Sequence, residues 1–272
     1  MTRPELPGSL TLVGAGRMGG AMLAGWLAGG LDPARTTVID PAVGTELAEL
    51  CAARGIVLNP ETAAPADALV LAMKPQGLDE AAAALGPMIA PDTLVVSILA
   101  GKTIADLKAR LPAARAVVRA MPNLPASIGR GATGAVASPE ATAAQRAQAD
   151  ALLRSVGLVE WLDDEALMDA LTAVSGSGPA YVFLLAEALA EAGTAAGLPP
   201  EMAARLTRAT VAGAGALLDG DPRSAAQLRR DVTSPGGTTE AALAILMREG
   251  GLPAVMREAV AAAAKRAGEL SG

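Results

Sequence analysis

The 272-residue chain contains no histidine. That excludes every chemistry needing imidazole as base, acid or metal ligand, including Ser-His-Asp hydrolysis, Cys-His catalysis and His-ligated zinc. Cys51 is the one cysteine, which rules out internal disulfides and cysteine-rich zinc sites and fits a reducing compartment. Aromatic residues are only 1% of the chain, the net charge is −6, and no long basic run occurs. A nucleic-acid partner, which needs a basic face and stacking rings, is not expected. No uninterrupted apolar run approaches the ~20 residues that span a bilayer. The opening MTRPELPGSL lacks the apolar core of a secretory signal. These absences lead us to expect a soluble, cytoplasmic protein with no metal, no membrane and no nucleic acid.

What the chain has in abundance is apolar residues, 51% of the total. With so few rings, Ala, Leu, Val and Met must do the packing, and alanine favours helices that approach closely. The first ~160 residues alternate short apolar runs with helical patterns, the grammar of βαβ units and a parallel sheet. Strands are expected at 9–13, 36–40, 56–58, 68–72, 93–97, 116–120, 132–137 and 159–162. Helices are expected between them at 17–28, 44–53, 78–85, 104–110 and 141–155. From Asp163 the strand signals vanish. Acidic residues, prolines and glycines then punctuate helices near 179–196, 199–218, 221–232, 239–248 and 253–269. The expected fold is α/β: a Rossmann-type doubly wound sheet over 1–162, followed by an all-helical domain over 163–272. Residues 180–196 and 203–218 carry few charges. Helices apolar nearly all round need burial on all sides, so a partner subunit is expected to cover them.

The run Leu10-Thr11-Leu12-Val13 leads into Gly14-Ala15-Gly16-Arg17-Met18-Gly19, a GxGxxG after a strand and at a helix start. Gly14 permits the tight turn, Gly16 lets a pyrophosphate approach the backbone, and Gly19 lets the helix pack on the sheet. The phosphates would rest on the helix N-terminus. Asp40 ends the next strand 21 residues beyond Gly19. It has two readings: an acceptor for the adenosine ribose hydroxyls, favouring NADH over NADPH, or a turn residue before Pro41. Arg35 precedes the strand and is poorly placed to welcome a 2′-phosphate. Met73-Lys74-Pro75 follows another strand, so Lys74 either faces the cofactor or is a solvated lysine. Asn123, between Pro122 and Pro125, either hydrogen-bonds a ligand amide or the backbone, or belongs to a rigid structural turn. Late in the chain, Ser234-Pro235-Gly236-Gly237-Thr238-Thr239 interrupts helical sequence and restarts it at once. Exposed N–H groups at such a restart form a small anion cradle.

Five segments taken together carry a resemblance: GAGRMGGAM near the start, AMKPQ at 72–76, RAMPNLPASIGRGATG at 119–134, VSGSGPAYVFLLAEALAEAG at 174–193 and DVTSPGGTTEAAL at 231–243. In order and over essentially the whole chain, the sequence resembles the 1-pyrroline-5-carboxylate reductases of proline biosynthesis. The resemblance implies reduction of the cyclic imine 1-pyrroline-5-carboxylate to L-proline, with NADPH or NADH. It also implies a homodimer through the helical domain, in some members a decamer, with the active site shared between one subunit's nucleotide domain and its partner's helices. By motif it assigns Thr239 to the substrate's ring nitrogen, and Ser234, Gly236, Gly237 and Thr238 to its carboxylate. Ser175, Ser177 and Pro179 would shape the hydride-transfer region, with Thr239 and Ser177 as the catalytic pair. The cofactor set is Gly14, Gly16, Arg17, Met18, Gly19, Asp40, Met73, Lys74, Pro75 and Asn123.

A protonated cyclic imine is already a good hydride acceptor, so a site without histidine or metal suffices. One departure stands out. Many members have Asn-Arg or Ser-Arg after the second strand, where this chain has Asp40-Pro41-Ala42; the expected preference therefore leans to NADH. Glu187, two turns into its helix, is read as structural. Two rivals share the plan: a dehydrogenase of the 3-hydroxyacid type and a non-catalytic nucleotide sensor. The first usually employs a helical lysine, and 163–193 has none. The second would be expected to lose Thr239 or the glycines, and they are present.

Overall fold

The computed structural model describes residues 6–271, so the first half of the MTRPELPGSL segment lies outside the described residues. Its centre is an eight-stranded sheet of order β3-β2-β1-β4-β5-β6-β7-β8. The strands are β1 Leu10–Val13, β2 Thr36–Ile39, β3 Val57–Leu58, β4 Ala68–Leu71, β5 Leu94–Ser97, β6 Ala116–Met121, β7 Gly131–Ala137 and β8 Gly157–Trp161. Helices α1 Arg17–Ala28, α2 Thr45–Arg54, α3 Leu78–Leu85, α4 Ile104–Arg110 and α5 Ala143–Arg154 join them.

Alternation within the strands sorts the core into two layers. Leu10 and Leu12 of β1, Ala68 and Val70 of β4, and Val118 and Ala120 of β6 face a cluster that holds Met22, Leu23 and Trp26 of α1 and Leu152 and Leu153 of α5. Leu69 and Leu71 of β4, Val95 of β5 and Val117 of β6 face the other, with Leu78 and Leu85 of α3 and Leu107 of α4. A strand covered on both faces has no reason to alternate polar with apolar, which is why LTLV and ALVL read as continuous runs. The Trp26 indole N–H donates to Leu152 O at 2.8 Å, so the largest side chain of this core is satisfied as well as buried.

Strands β1 to β6 pair in parallel, but β7 runs antiparallel to β6, and β8 is parallel to β7. The sheet is therefore parallel except at this one pair. Only residues 122–130 separate β6 from β7, and a parallel crossover needs a dozen residues or more. The chain must therefore turn back. From β7 to β8 it passes through α5, a full crossover, and the pair is parallel again.

After β8 a 3-10 turn, Glu165–Leu167, is capped by the Asp164 carboxylate, which accepts from Ala166 N–H at 2.9 Å. Then come α6 Met168–Leu171, a π turn at Thr172–Gly176, α7 Gly178–Ala195, α8 Pro200–Gly220, α9 Ala225–Asp231, α10 Thr238–Leu246 and α11 Leu252–Ser271. Helix α9 begins later than the Asp221-Pro222 signal suggests. Asp221 instead accepts from Arg223, and Ser224 caps the helix through Gln227 N–H.

The chain forms two compact units. One runs to Gly176 and takes back the chain from Ala263; the other is Ser177–Ala262. The 162/163 division marks the end of the sheet, fourteen residues before this division in compactness. In the helical unit α7 and α8 pack together, with Gly193 close enough to α8 that a Cβ there would lie 3.4 Å from the Ala203 methyl. One helical stretch, Glu165–Ala195, is long and apolar enough to cross a membrane by length and composition, with mean hydropathy 1.3. It qualifies by average hydropathy and not as an uninterrupted apolar run. Scattered Ser, Thr and Glu interrupt the letters but barely lower the average.

Candidate functional site

The carboxyl ends of β1 and β4 meet where the strand order reverses, because β1 has β2 on one side and β4 on the other. Ligands of open α/β sheets bind at such a point. The three glycines of the first turn divide the work there. Gly14 has φ +88°, and a Cβ on it would lie 2.4 Å from Met73 N. Gly19 would place a Cβ 2.2 Å from Gly14 O, so only glycine lets α1 begin this close to β1 and β4. Around Gly16, by contrast, nothing lies within 4 Å of a built Cβ, and the residue is exposed. Gly14 and Gly19 thus serve packing, while Gly16 leaves an open backbone cradle.

Gly16 is also the N-cap of α1 and supplies no side-chain cap, and the first turn contains no acid. Arg17 stands exposed at the first helical position. A cation there opposes the helix dipole unless an anion sits beside it. Met18 is half-buried against the core. These features fit a pyrophosphate.

Asp40 follows β2 and is tied into the same turn. Its carboxylate accepts from Ala15 N–H at 2.7 Å and from Ala42 N–H at 2.8 Å. Asn59, just after β3, grips the Asp40 backbone from both sides: its Oδ1 accepts from Asp40 N–H and its Nδ2 donates to Asp40 O, each at 2.8 Å. Asp40 is therefore both a turn former and a carboxylate fixed beside the glycine turn, so its two sequence readings are compatible. Asn59 went unnoticed in the sequence because an Asn after a short strand reads only as a turn. Arg35 lies by Gly8 and Asp67, at the amino ends of the strands, away from this cluster.

Met73 borders Gly14 through its backbone, and Lys74 is exposed where a 3-10 turn starts at Pro75. Asn123 caps nothing with its side chain. Its amide bonds Ala132 N–H and Ser175 instead. Ser175 donates in turn to Ala132 O at 2.8 Å. Arg119 of β6 is almost wholly buried and pairs with Glu165 at 2.8 Å, and the same carboxylate oxygen accepts from Ile104 N–H at 3.0 Å.

In the helical unit, Ser177 is the N-cap of α7 and Pro179 lies in its first turn, where a proline sacrifices no hydrogen bond. At the Ser234–Thr239 turn, Gly236 has φ +71°, which explains the first glycine of the pair. Its N–H donates to the Glu240 carboxylate at 2.7 Å, and Gly237 N–H donates to Ser234 O at 3.0 Å. Both glycine amides are thus engaged within the turn. Helix α10 starts at Thr238, and its first internal bond is Ala241 N–H to Gly237 O. The amides of Thr238, Thr239 and Glu240 are the first-turn donors that point out of a helix start. Glu240 was legible in principle, since an acid three residues past the N-cap is half of a capping box. Among the described residues no cluster of three metal-ligating side chains occurs. A cavity of about 400 Å³ lies at the opposite end of α1 from the glycine turn, lined by Gly25, Trp26, Arg154 and Ser155.

The sheet order, the glycine turn and the helical half define a dinucleotide-binding α/β protein with an appended helical region. Residues 165–270 match the family model described as pyrroline-5-carboxylate reductase dimerisation, and residues 9–101 match the one described as NADP oxidoreductase, coenzyme F420-dependent. The chain is 43% identical over 264 residues to a pyrroline-5-carboxylate reductase of Pseudomonas aeruginosa, covering 96% of each chain. It is 36% identical over 272 residues to one of Pisum sativum, covering 98% of each. A solved pyrroline-5-carboxylate reductase from Coxiella burnetii superposes with a TM-score of 0.90 at 37% identity, over 98% of this chain and 100% of that one. The chain belongs to the pyrroline-5-carboxylate reductase family.

Proposed function

We propose that the protein reduces 1-pyrroline-5-carboxylate to L-proline with a nicotinamide dinucleotide, the closing step of proline biosynthesis, as a homodimer in the cytoplasm. The observation that carries this reading is the pairing of two prepared ends in one chain. An open glycine cradle lies at α1, and a hydroxyl-bearing helix start lies at α10.

Gly14, Gly16, Arg17 and Gly19 hold the pyrophosphate, Met18, Met73, Lys74 and Pro75 border it, and Asp40 takes the adenosine ribose. When bound, the reduced nicotinamide supplies the hydride. The N–H groups of Thr238, Thr239 and Glu240 hold the substrate carboxylate, with Ser234, Gly236 and Gly237 shaping the turn that presents them. The Thr239 hydroxyl bonds the ring nitrogen, and Ser177 and Pro179 line the region where the imine carbon lies. The two-electron change adds a hydride to the imine carbon, and the protonated nitrogen becomes the secondary amine. No side chain needs to become a nucleophile. The fixed Asp40 carboxylate repels a 2′-phosphate, so NADH is preferred.

The dimer rests on the apolar helical faces. Phe183 and Leu184 of α7 are 59% and 62% exposed in the single chain. Large apolar side chains left this exposed on a helix fit an interface. The same faces give Glu165–Ala195 its apolar average, so a dimer accounts for them without a membrane. A decamer is a further assembly of such dimers.

The test is direct. Mixed with 1-pyrroline-5-carboxylate and NADH or NADPH, the protein should oxidise the nicotinamide, seen as loss of its absorbance, and form proline. No oxidation with either cofactor would refute the reading.

A further inference from the structure

We infer that Asn123 and Ser175 are positioning residues that hold the π turn at Thr172–Gly176, rather than ligands of cofactor or substrate. The inference rests on the reductase reading above and revises the roles that the family resemblance gives both residues.

Asn123 occupies the N-cap of the 3-10 turn Leu124–Ile128. An asparagine there normally lends its side chain to the turn's own N–H groups, and this one does not. Its Oδ1 accepts from Ala132 N–H at 2.9 Å, while Nδ2 donates to Ser175 O at 3.1 Å and to Ser175 Oγ at 3.3 Å. Because Ala132 N–H is purely a donor, it must face the oxygen, which fixes the amide's orientation. Ser175 Oγ passes its single hydrogen to Ala132 O at 2.8 Å. The ring Asn123–Ala132–Ser175 is closed. The Asn123 amide nitrogen donates to Ser175 and the Ser175 hydroxyl donates to Ala132 O, so these donor bonds of both side chains stay inside the ring.

The ring clamps an unusual segment. A π turn holds one residue more than a helical turn normally accepts and is found mostly at functional sites. Thr172 Oγ1 donates back to Met168 O at 2.8 Å, which loosens the helix just before it. The β6–β7 hairpin supports this segment at two further points. Gly134 leaves room for Leu171, whose Cδ1 would lie 2.1 Å from a Cβ there. The Met121 methyl would lie 3.4 Å from a Cβ on Gly176. Two residues beyond Ser175 comes Ser177. The strut thus holds the π turn itself, which ends one residue before Ser177. A misplacement of about 1 Å costs on the order of a hundredfold in rate, without requiring any loss of binding.

The test compares Asn123→Ala, Ser175→Ala and the double variant with the unmodified protein. The readouts are kcat, cofactor Kd measured without substrate, and the isotope effect with 4-deuterated cofactor. Both single variants should lower kcat, Asn123→Ala by about 10- to 100-fold, with cofactor Kd changed less than about twofold. The double variant should be no worse than Asn123→Ala, since the two break one unit. The isotope effect should rise as hydride transfer becomes limiting. If Asn123→Ala does not fold, Asn123→Asp keeps the acceptor for Ala132, loses the donor to Ser175, and should give the same pattern. A roughly tenfold rise in cofactor Kd in Asn123→Ala alone, or additive losses in kcat, would overturn the inference. Failure of the underlying reading looks different, because the unmodified protein would then show no turnover.

Discussion

The sheet and the helical half use nearly the same alphabet of Ala, Leu, Val and Gly, yet they treat it in opposite ways. In the sheet every residue of β1, β4 and β5 is buried, because helices cover both faces. In the helical unit α7, α9 and α10 have no fully buried residue, and α8 has only Ala203 and Thr207. Apolar composition therefore does not decide burial; the availability of a covering layer does. The sheet half finds that layer within the chain. The helical half does not, and the proposed dimer would supply one for its exposed apolar residues.

That contrast can be broken experimentally. The largest effect is expected from Phe183→Asp, which puts a charge on a side chain 59% exposed in the single chain and, in the dimer we propose, into a buried face at a cost of several kcal/mol. Sedimentation should show monomers, and turnover should collapse, while the sheet keeps its cofactor affinity. Gly19→Ala should do the reverse. Its methyl has no room beside Gly14 O, so about 1–3 kcal/mol of stability and most cofactor affinity should go while dimers persist. Thermal denaturation and cofactor titration would measure both. Asp40→Ser should lower the NADH-to-NADPH preference about tenfold, near 1.4 kcal/mol. It should also weaken both cofactors slightly, because the bond to Ala15 N–H is lost; steady-state kinetics with each cofactor would show it.

The smallest effect concerns the helical unit's surface. Hydrogen bonds from Arg223 hold the Asp221 carboxyl at about 2, against an ordinary 3.8. A depressed folded-state value contributes stability above pH 3.8 that is lost as pH falls through about 2. Arg223→Ala should remove that acid-side slope and return Asp221 towards 3.8, as a carboxyl NMR titration would reveal.

Much of the sheet could be read beforehand. Apolar runs located all eight strands, and turn chemistry located α1, α3 and α4 to the residue. The reversal at β7 escaped because strand propensity carries no direction, although the length of the 122–130 connection did. The π turn escaped because Thr172–Gly176 looks like helix by composition, and the side chain that bonds it, Asn123, lies 52 residues earlier. At the site, the glycine pattern was legible because each glycine answers a backbone demand. That Asn123 bonds backbone was among the readings, but its particular partners, Ala132 and Ser175, were not, since a side chain's partners across the fold leave no local mark. Glu240 could be read as half of a capping box, but not that it would reach Gly236, one residue before the N-cap.

We propose a division of labour in which the sheet half binds the hydride donor and the Ser234–Thr239 turn binds the acceptor. Thr239→Ala tests it most directly, with cofactor Kd and turnover measured on the same preparation. The account predicts unchanged cofactor affinity with kcat/KM for 1-pyrroline-5-carboxylate reduced by about a hundredfold or more, the usual loss when one preorganised hydrogen-bond donor is removed. Equal losses of cofactor binding and turnover would contradict it.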